Sequence, residues 1–482
     1  MLVMIIDGIF PSELSEDASP SEKAIASFLK FIERKLDIAF VRNTRGISEE
    51  LLPLFKLGAV LKEKGILKAY GQSPVFPDEP PMKSWYAICN DSTSHQVGGS
   101  TWDSERDALM AALAEVLERY IWFMEDDYFV DPRLATAEEI QKIGTAIVPE
   151  RFAGFSEEQR AEKPERKLHK DAKYLWIRST SLVGGNTVYI PAQIASGAGR
   201  HAGQNSKGGA EPLIRQRTTI GLATWPTKTG ARLAGALEAI EREAYMVAWL
   251  NQLTLPRISL ESLKPLNPTL ARVIESCERY RLKPHVVRLL TDAPTHAVAV
   301  MLEDLSGLSP RFSIGLKTHR SLSTAVLKAM TEAARSHRGY RVREKDAEPW
   351  DIHIPTKEIG HRERIHYWGV PEHAKHLEFF VRGEEVPAEK KPWDSDSEEG
   401  HLGRIVDWCR AKGFECIAVS LGTSAKNPTS LYIEQVTIPE LQPPYLIDSM
   451  QSFGSDRWKE IPKQFGYAHR AEPFADRPHP FS

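Results

Sequence analysis

The chain has 482 residues, enough to bury a large core in one big domain or in two to three smaller ones. Its 41% hydrophobic and 26% charged content is ordinary for a globular protein, and a net charge of -3 gives a nucleic-acid role no compositional support. The four cysteines, Cys89, Cys277, Cys409 and Cys416, form no CxxC pair, and no apolar run reaches the roughly 18 residues of a membrane helix, so a zinc or disulfide framework and a membrane span are set aside and a reducing, cytoplasmic setting is expected.

In chain order, Met1 to Phe10 is apolar but carries Asp7 and lacks a basic leader, and reads as a buried strand. Ser21 to Leu36 has apolar residues at helical spacing. Residues 73–84 are proline-rich and predict a connection. Alanine-rich helices are expected at Asp107–Ile121, Ala231–Tyr245 and Thr324–Arg338, and strands at Val298–Leu302, Cys416–Leu421 and Leu431–Ile438. The glycine run Gly197, Gly199, Gly203, Gly208 and Gly209 lacks the GK[ST] of a Walker loop, which favours a substrate or lid loop. His353, His361, His366, His373 and His376 fit no standard zinc spacing. Residues 383–400 read as an exposed loop or linker, and 472–482 as a proline-rich, non-helical tail. The pattern predicts an α+β chain.

The three helices look alike, and each follows a glycine. Glu115 minus Gly98, Glu238 minus Gly221 and Glu332 minus Gly315 all equal 17. Three equal offsets predict a pseudo-threefold repeat of glycine turn plus buried helix. The first two helices carry carboxylates at i and i+3, Glu115 with Glu118 and Glu238 with Glu241, each pair sharing one helix face. Buried carboxylate pairs repel each other unless a cation neutralises them. Magnesium takes oxygen ligands, usually one or two carboxylates plus substrate phosphates. The constellation therefore predicts a magnesium–nucleotide site without a Walker loop. The bland alternative is an exposed salt-bridge face with Arg119 and Arg242 as local partners; two copies on alanine-rich helices weigh against it.

On these helices the chain resembles the YcaO family, over residues from about 60 to the end. ALAEVLERY follows a GG-type turn at Gly98-Gly99-Ser100, and GLATWPTKTGARLAGALEAIEREAY, LKAMTEAARS, His361–Val381 and Val436–Tyr445 follow in the family's order. The resemblance implies an ATP-binding catalytic domain over 61–482 with an accessory region at 1–60. It implies Glu115, Glu118, Glu238 and Glu241 as magnesium ligands. It further implies Arg242 on phosphate, Glu332 from the third helix, and Gly98, Ser100, Gly221 and Lys328 beside the nucleotide. Lys328 stands where the family often has arginine, Arg335 where it has glutamine, Ala111 where serine is common, Ile220 where a small polar residue precedes the glycine, and Glu243 where aspartate is usual.

The activity implied is ATP-dependent activation of backbone amides in a ribosomally made precursor peptide. The leading form is cyclodehydration of Cys, Ser or Thr to thiazoline or oxazoline; thioamide formation, a non-catalytic peptide-binding subunit and a carboxylate ligase are the alternatives. The azoline branch often ends in PxPxP; here the tail reads Arg477-Pro478-His479-Pro480-Phe481-Ser482, which makes Ser482 a catalytic candidate with Arg242 and Lys328. The resemblance also implies a separate leader-binding, E1-like partner, and admits a flavin dehydrogenase and a homodimer.

Overall fold

The computed structural model describes residues 49–481 apart from 75, 91–94, 124–128, 130, 196–210, 308–309, 344–360 and 422–426. The strand expected at Met1–Phe10, the helix at Ser21–Leu36, the glycine run, His353 and Ser482 lie outside the described residues. The described chain opens with α1 (Leu52–Glu63), which buries Leu54, Phe55, Gly58 and Leu61. The boundary drawn after residue 60 falls inside this helix.

The first sheet is an antiparallel meander of β1 (Leu67–Gln72), β2 (Lys83–Cys89) and β3 (Gln96–Thr101). Helix α2 (Glu105–Phe123) packs across β2 and β3. It starts where Ser104 Oγ accepts the Asp107 N–H at 3.0 Å, an N-cap that satisfies a donor the helix leaves free.

A seven-stranded sheet follows from β4 (Arg133–Ala135), β5 (Thr145–Ala146), β6 (Tyr174–Ser181), β7 (Thr187–Pro191) and β8 (Leu222–Trp225), completed late in the chain. Helix α3 (Lys228–Asn251) leaves β8 under a Thr227 cap that accepts the Gly230 N–H. It ends at Gln252, whose left-handed φ of 51° stops the helical run. Its last nine residues, from Glu243 to Asn251, are all buried, and Tyr245 and Trp249 are shut off completely. A helix apolar all round belongs in an interior.

The third sheet takes β9 (Arg257–Ile258), then, after α4 (Pro268–Arg279), β10 (Leu282–Arg288), β11 (His296–Asp304) and β12 (Phe312–His319). Helix α5 (Leu322–Arg343) covers β11 and β12. After α6 (His361–Gly369), β13 (Glu385–Val386) adds to β9 in parallel and gives the order β12-β11-β10-β9-β13. Helix α7 (Glu398–Lys412), β14 (Ile417–Ser420) and β15 (Tyr432–Thr437) complete the second sheet as β5-β7-β6-β14-β15-β8, with β4 on β6, and α8 (Arg457–Gln464) precedes the tail.

Residues 383–400 are largely exposed loop, one of the two alternatives expected, and are tied into the fold at both ends. They supply an edge strand and the capped start of α7, where Ser397 Oγ accepts the Gly400 N–H. The charged side chains that made the segment look loose lie on its solvent side, while its backbone bonds to β9. The four cysteines are buried, and none is in a disulfide. Among the described residues no helix is long and apolar enough to cross a membrane.

Candidate nucleotide site

Three strand–helix units, β3–α2, β8–α3 and β12–α5, carry the glutamates singled out from the sequence. Glu115, Glu238 and Glu332 each fall at the same depth, the eleventh residue of the helix as its bounds run. In the third unit the glycine of the equal spacing is where strand and helix meet; in the second the helix meets the Gly221 carbonyl, 2.3 Å from a Cβ on Gly235, while the Cβ position of Gly221 itself faces β15. A Cβ on Gly221 would lie 1.9 Å from the Val436 carbonyl, at a φ of 80° that also favours glycine. A Cβ on Gly315 would lie 2.1 Å from the Ala329 carbonyl. The first unit differs. Its turn, residues 102–104, has one more residue than the other two, and the glycine pressed on the helix is Gly99, 2.0 Å from the Ala108 carbonyl, while Gly98 faces the Trp85 carbonyl.

The glutamates meet in one electrostatic neighbourhood. Burial pushes the Glu118 carboxyl well above its ordinary value; Arg119 opposes the shift, and Glu115 and Glu238 add to it. Burial likewise raises Glu332, with Arg242 opposing and Glu241 adding. Glu238 therefore lies in the field of the α2 pair as well as that of Arg242, and Glu241 in that of the third helix. Arg242 stands between the two α3 carboxylates, 3.2 Å from Glu238 and 3.2 Å from Glu241. Burial opposes its charge, but Glu241, Glu238 and Glu332 outweigh burial and raise its pKa.

Three of the carboxylates accept backbone N–H groups. Glu238 accepts the Gly221 N–H at 3.0 Å, Glu241 accepts the Thr318 N–H at 2.6 Å, and Glu332 accepts the Leu316 N–H at 2.7 Å. Lys317 adds an ammonium 3.4 Å from Glu241. These groups are crowded by protein yet reached by solvent: the Arg242 side chain is 14% exposed and that of Lys317 32%.

Lys317 was missed in the sequence, although it lies two residues after Gly315, on the strand face that the third helix covers. Lys328 also lies in this field, and burial together with Lys317 lowers its pKa to about 8. Gly98 is reached from the third helix, its carbonyl accepting from Arg335 at 2.8 Å. Ser100 is set further aside, its hydroxyl 2.9 Å from that of Ser84, which also accepts from Arg338.

The tail packs against this cluster. Phe481 lies with its ring 4.2 Å from the Arg242 guanidinium carbon. The tail is held upstream, where Trp368 Nε1–H donates to the Pro478 carbonyl at 3.1 Å and Arg364 donates to His479 Nε2 at 3.1 Å. Residues 478–481 are buried. Ser482, the catalytic candidate of the tail, lies outside the described residues.

The donor set fits magnesium and phosphate: carboxylate oxygens for a hard cation, a guanidinium and two ammonium groups for anions. Among the described residues no three acidic, imidazole or thiol groups already stand close enough to hold a metal ion. A magnesium site completed by phosphate oxygens and water needs only one or two protein carboxylates. Those carboxylates have to leave the backbone N–H and arginine partners they hold here.

A family model described as YcaO cyclodehydratase, ATP- and Mg2+-binding, matches residues 101–442. Among solved structures, a heterocyclase in complex with substrate and cofactor is similar at 18% identity and a TM-score of 0.65, over 88% of this chain and 57% of that one. The chain thus spans little more than half the length of that structure. A YcaO from Methanopyrus kandleri bound with AMPPCP and Mg2+ is similar at 15% identity and a TM-score of 0.55, over 83% of this chain and 94% of that one. A chain of the E. coli microcin synthetase McbBCD complex is similar at 16% identity and a TM-score of 0.55, over 77% of this chain and 88% of that one. At these identities the likeness is one of fold. A search of curated proteins returns no match.

Proposed function

Because the chain belongs to the YcaO family, whose model covers residues 101–442, we propose that it uses magnesium-ATP to activate backbone amides of a ribosomally made peptide, forming azolines from Cys, Ser or Thr. The observation that carries the proposal is the meeting of Glu238, Glu241 and Glu332 around Arg242, with Glu118 in the field of Glu238. Burial, with carboxylates of neighbouring helices adding to it, raises the pKa of Glu118 and Glu332 there, a density of acidic groups that suits divalent cations.

In this reading Glu115, Glu118, Glu238 and Glu241 hold the magnesium. Gly98, Ser100 and Gly221 border the nucleotide. Magnesium-ATP supplies the phosphoryl group that makes the amide oxygen a leaving group. Arg242 exchanges its two carboxylates for phosphate oxygens, which its planar fork can bind with two hydrogen bonds. Lys317 and Lys328 neutralise the charge that develops as the phosphoryl group transfers. Glu332, bonded to the Leu316 N–H, keeps β12 and α5 in register beneath them. Phe481 covers Arg242 and excludes water from that side, with Ser482 next in the chain as the proposed proton-handling residue.

The docked tail is the feature that favours azoline formation over thioamide formation, since both share the ATP chemistry. A separate E1-like, leader-binding partner is part of the proposal, supported by the likeness to a chain of a synthetase complex. A flavin dehydrogenase, a homodimer and a cytoplasmic setting remain extensions of it.

The test incubates the chain with its candidate partner, ATP, magnesium and precursor peptide. The expected result is loss of one water per ring by mass spectrometry, coupled to phosphate release. Absence of a mass change under every pairing would remove the heterocyclase reading.

A further inference from the structure

The three helices that carry the glutamates correspond beyond their eleventh residue. The fourteenth is Glu118 in α2, Glu241 in α3 and Arg335 in α5. Each of these side chains acts on the following unit. Glu118 lies in the field of Glu238 of the second, Glu241 accepts the Thr318 N–H of β12 in the third, and Arg335 donates to the Gly98 carbonyl of β3 in the first, at 2.8 Å. The circle of three units is closed, and its third member has the opposite charge.

Arg335 shares a helix face with Lys328 and Glu332, at the spacing i, i+4 and i+7. That face belongs to the cluster: Lys328 lies in the field of Glu241, and Arg242 and Arg335 both act on the Glu332 carboxyl. Lys328 and Arg335 stand about 10 Å apart along the axis, at 1.5 Å per residue, with Glu332 between them.

Arg335 leaves most of its hydrogen-bonding capacity unused. The Nη1–H on Gly98 is its one hydrogen bond among the described residues, and none of their carboxylates forms an ion pair with it. The next two arginines of α5 are engaged, Arg338 with Glu79 at 2.6 Å and Arg341 with Asp78 at 2.6 Å. Arg335 is exposed, whereas the Arg242 side chain is 14% exposed, so Arg335 meets solvent at the rim of the cluster. A guanidinium carries five N–H donors in one plane. A single bond to a backbone carbonyl orients that plane and leaves a fork that fits two phosphate oxygens.

We propose that Arg335 is a phosphate-binding residue, which meets the triphosphate of magnesium-ATP directly where Glu118 and Glu241 meet it through the metal. The proposal rests on the magnesium-ATP reading above. A carboxylate attracts a phosphate only through a cation, and a guanidinium attracts it without one. Two units thus bring magnesium to the phosphates, and the third brings its own positive charge. Gly98, which borders the nucleotide in that reading, supplies the carbonyl that aims the guanidinium.

The test measures, by titration calorimetry, binding of magnesium-ATP and of magnesium tripolyphosphate, which has the phosphates without the nucleoside. The proteins are the full chain and its Arg335→Gln and Arg335→Lys variants. Arg335→Gln removes the charge and keeps an amide donor. It should weaken both probes about tenfold at low salt and less as salt is added, with an unchanged melting temperature. Arg335→Lys keeps the charge without the fork and should fall between. Equal binding by the native and Arg335→Gln proteins overturns the proposal and leaves the magnesium-ATP reading standing. Weaker ATP with unchanged tripolyphosphate also overturns it, since the contact is then with the nucleoside. So does a loss of affinity that comes with a lower melting temperature in both variants, which marks a structural tie between α5 and β3. A native chain that binds neither probe removes the magnesium-ATP reading itself, and this inference with it.

Discussion

Replacing Glu241 by glutamine separates a metal role from a structural one by the sign of its effects. Glu241 is 1% exposed and receives the Thr318 N–H, the Arg242 guanidinium and the Lys317 ammonium. The amide keeps an acceptor for Thr318 but loses both charge-assisted contacts. Such contacts contribute about 1.5–3 kcal/mol each when buried. Arg242 keeps Glu238 and Lys317 is a third exposed, so screening reduces the total to roughly 2 kcal/mol of folding stability. Outer-shell partners of a metal alone are worth about 10–100-fold in affinity, so loss of a direct ligand should weaken magnesium-ATP by about 100-fold or more. ATP without magnesium should behave oppositely. One negative charge about 8 Å from the phosphates repels each unit of their charge by roughly 0.5 kcal/mol even in water-like dielectric, so the variant should bind free ATP at least about twofold tighter. Titration calorimetry with ATP in magnesium and then in chelator reads both arms. Equal weakening in the two conditions, or no weakening in magnesium, would refute the reasoning.

Lys328 gives a pH signature. Burial and the neighbouring Lys317 hold its pKa at about 8, so the charged form is lost as pH rises through 8. The value of kcat/KM for ATP, which reports the free protein, should fall above that pH, and Lys328→Arg should flatten the fall; a profile identical in both proteins would exclude Lys328 from phosphate binding. Phe481→Leu keeps the apolar volume and removes the ring from Arg242, about 1–2 kcal/mol, so kcat/KM should drop roughly 5–30-fold with nucleotide affinity less affected. Gly221→Ala would place a methyl group 1.9 Å from the Val436 carbonyl at a positive φ, and should cost about 4 kcal/mol or more, seen as a shifted urea midpoint or loss of folded protein.

Much of this site is written in local sequence. The equal spacing from Gly221 to Glu238 and from Gly315 to Glu332 is legible because a strand, a two-residue turn and a helix of fixed rise leave no freedom between the close-packed glycine and the carboxylate. The same spacing misleads in the first unit. One additional turn residue moves the packed glycine from Gly98 to Gly99, and alternation along the strand then turns Gly98 to the other face. The alanine-rich helices and the strands at β11, β14 and β15 are legible from periodicity alone. Lys317 was available in principle as a cation on the helix-facing side of an otherwise apolar strand. The partners of Glu243 were not. Arg457 comes from 214 residues away, and no local pattern predicts that pair. The strand hidden in 383–400 was masked by its charged side chains, because a two-residue edge strand bonds through its backbone and needs no apolar alternation.

The central claim is that divalent cations are held by the paired glutamates of α2 and α3. The most direct measurement is a crystal grown with manganese and a non-hydrolysable ATP analogue, with the metals located by anomalous scattering. The account predicts metal positions within about 2.2 Å of oxygens from Glu115, Glu118, Glu238 or Glu241, with Arg242 turned onto phosphate. Metals bound by none of these side chains, with Glu238 and Glu241 still on Arg242 and the strand N–H groups, would contradict it.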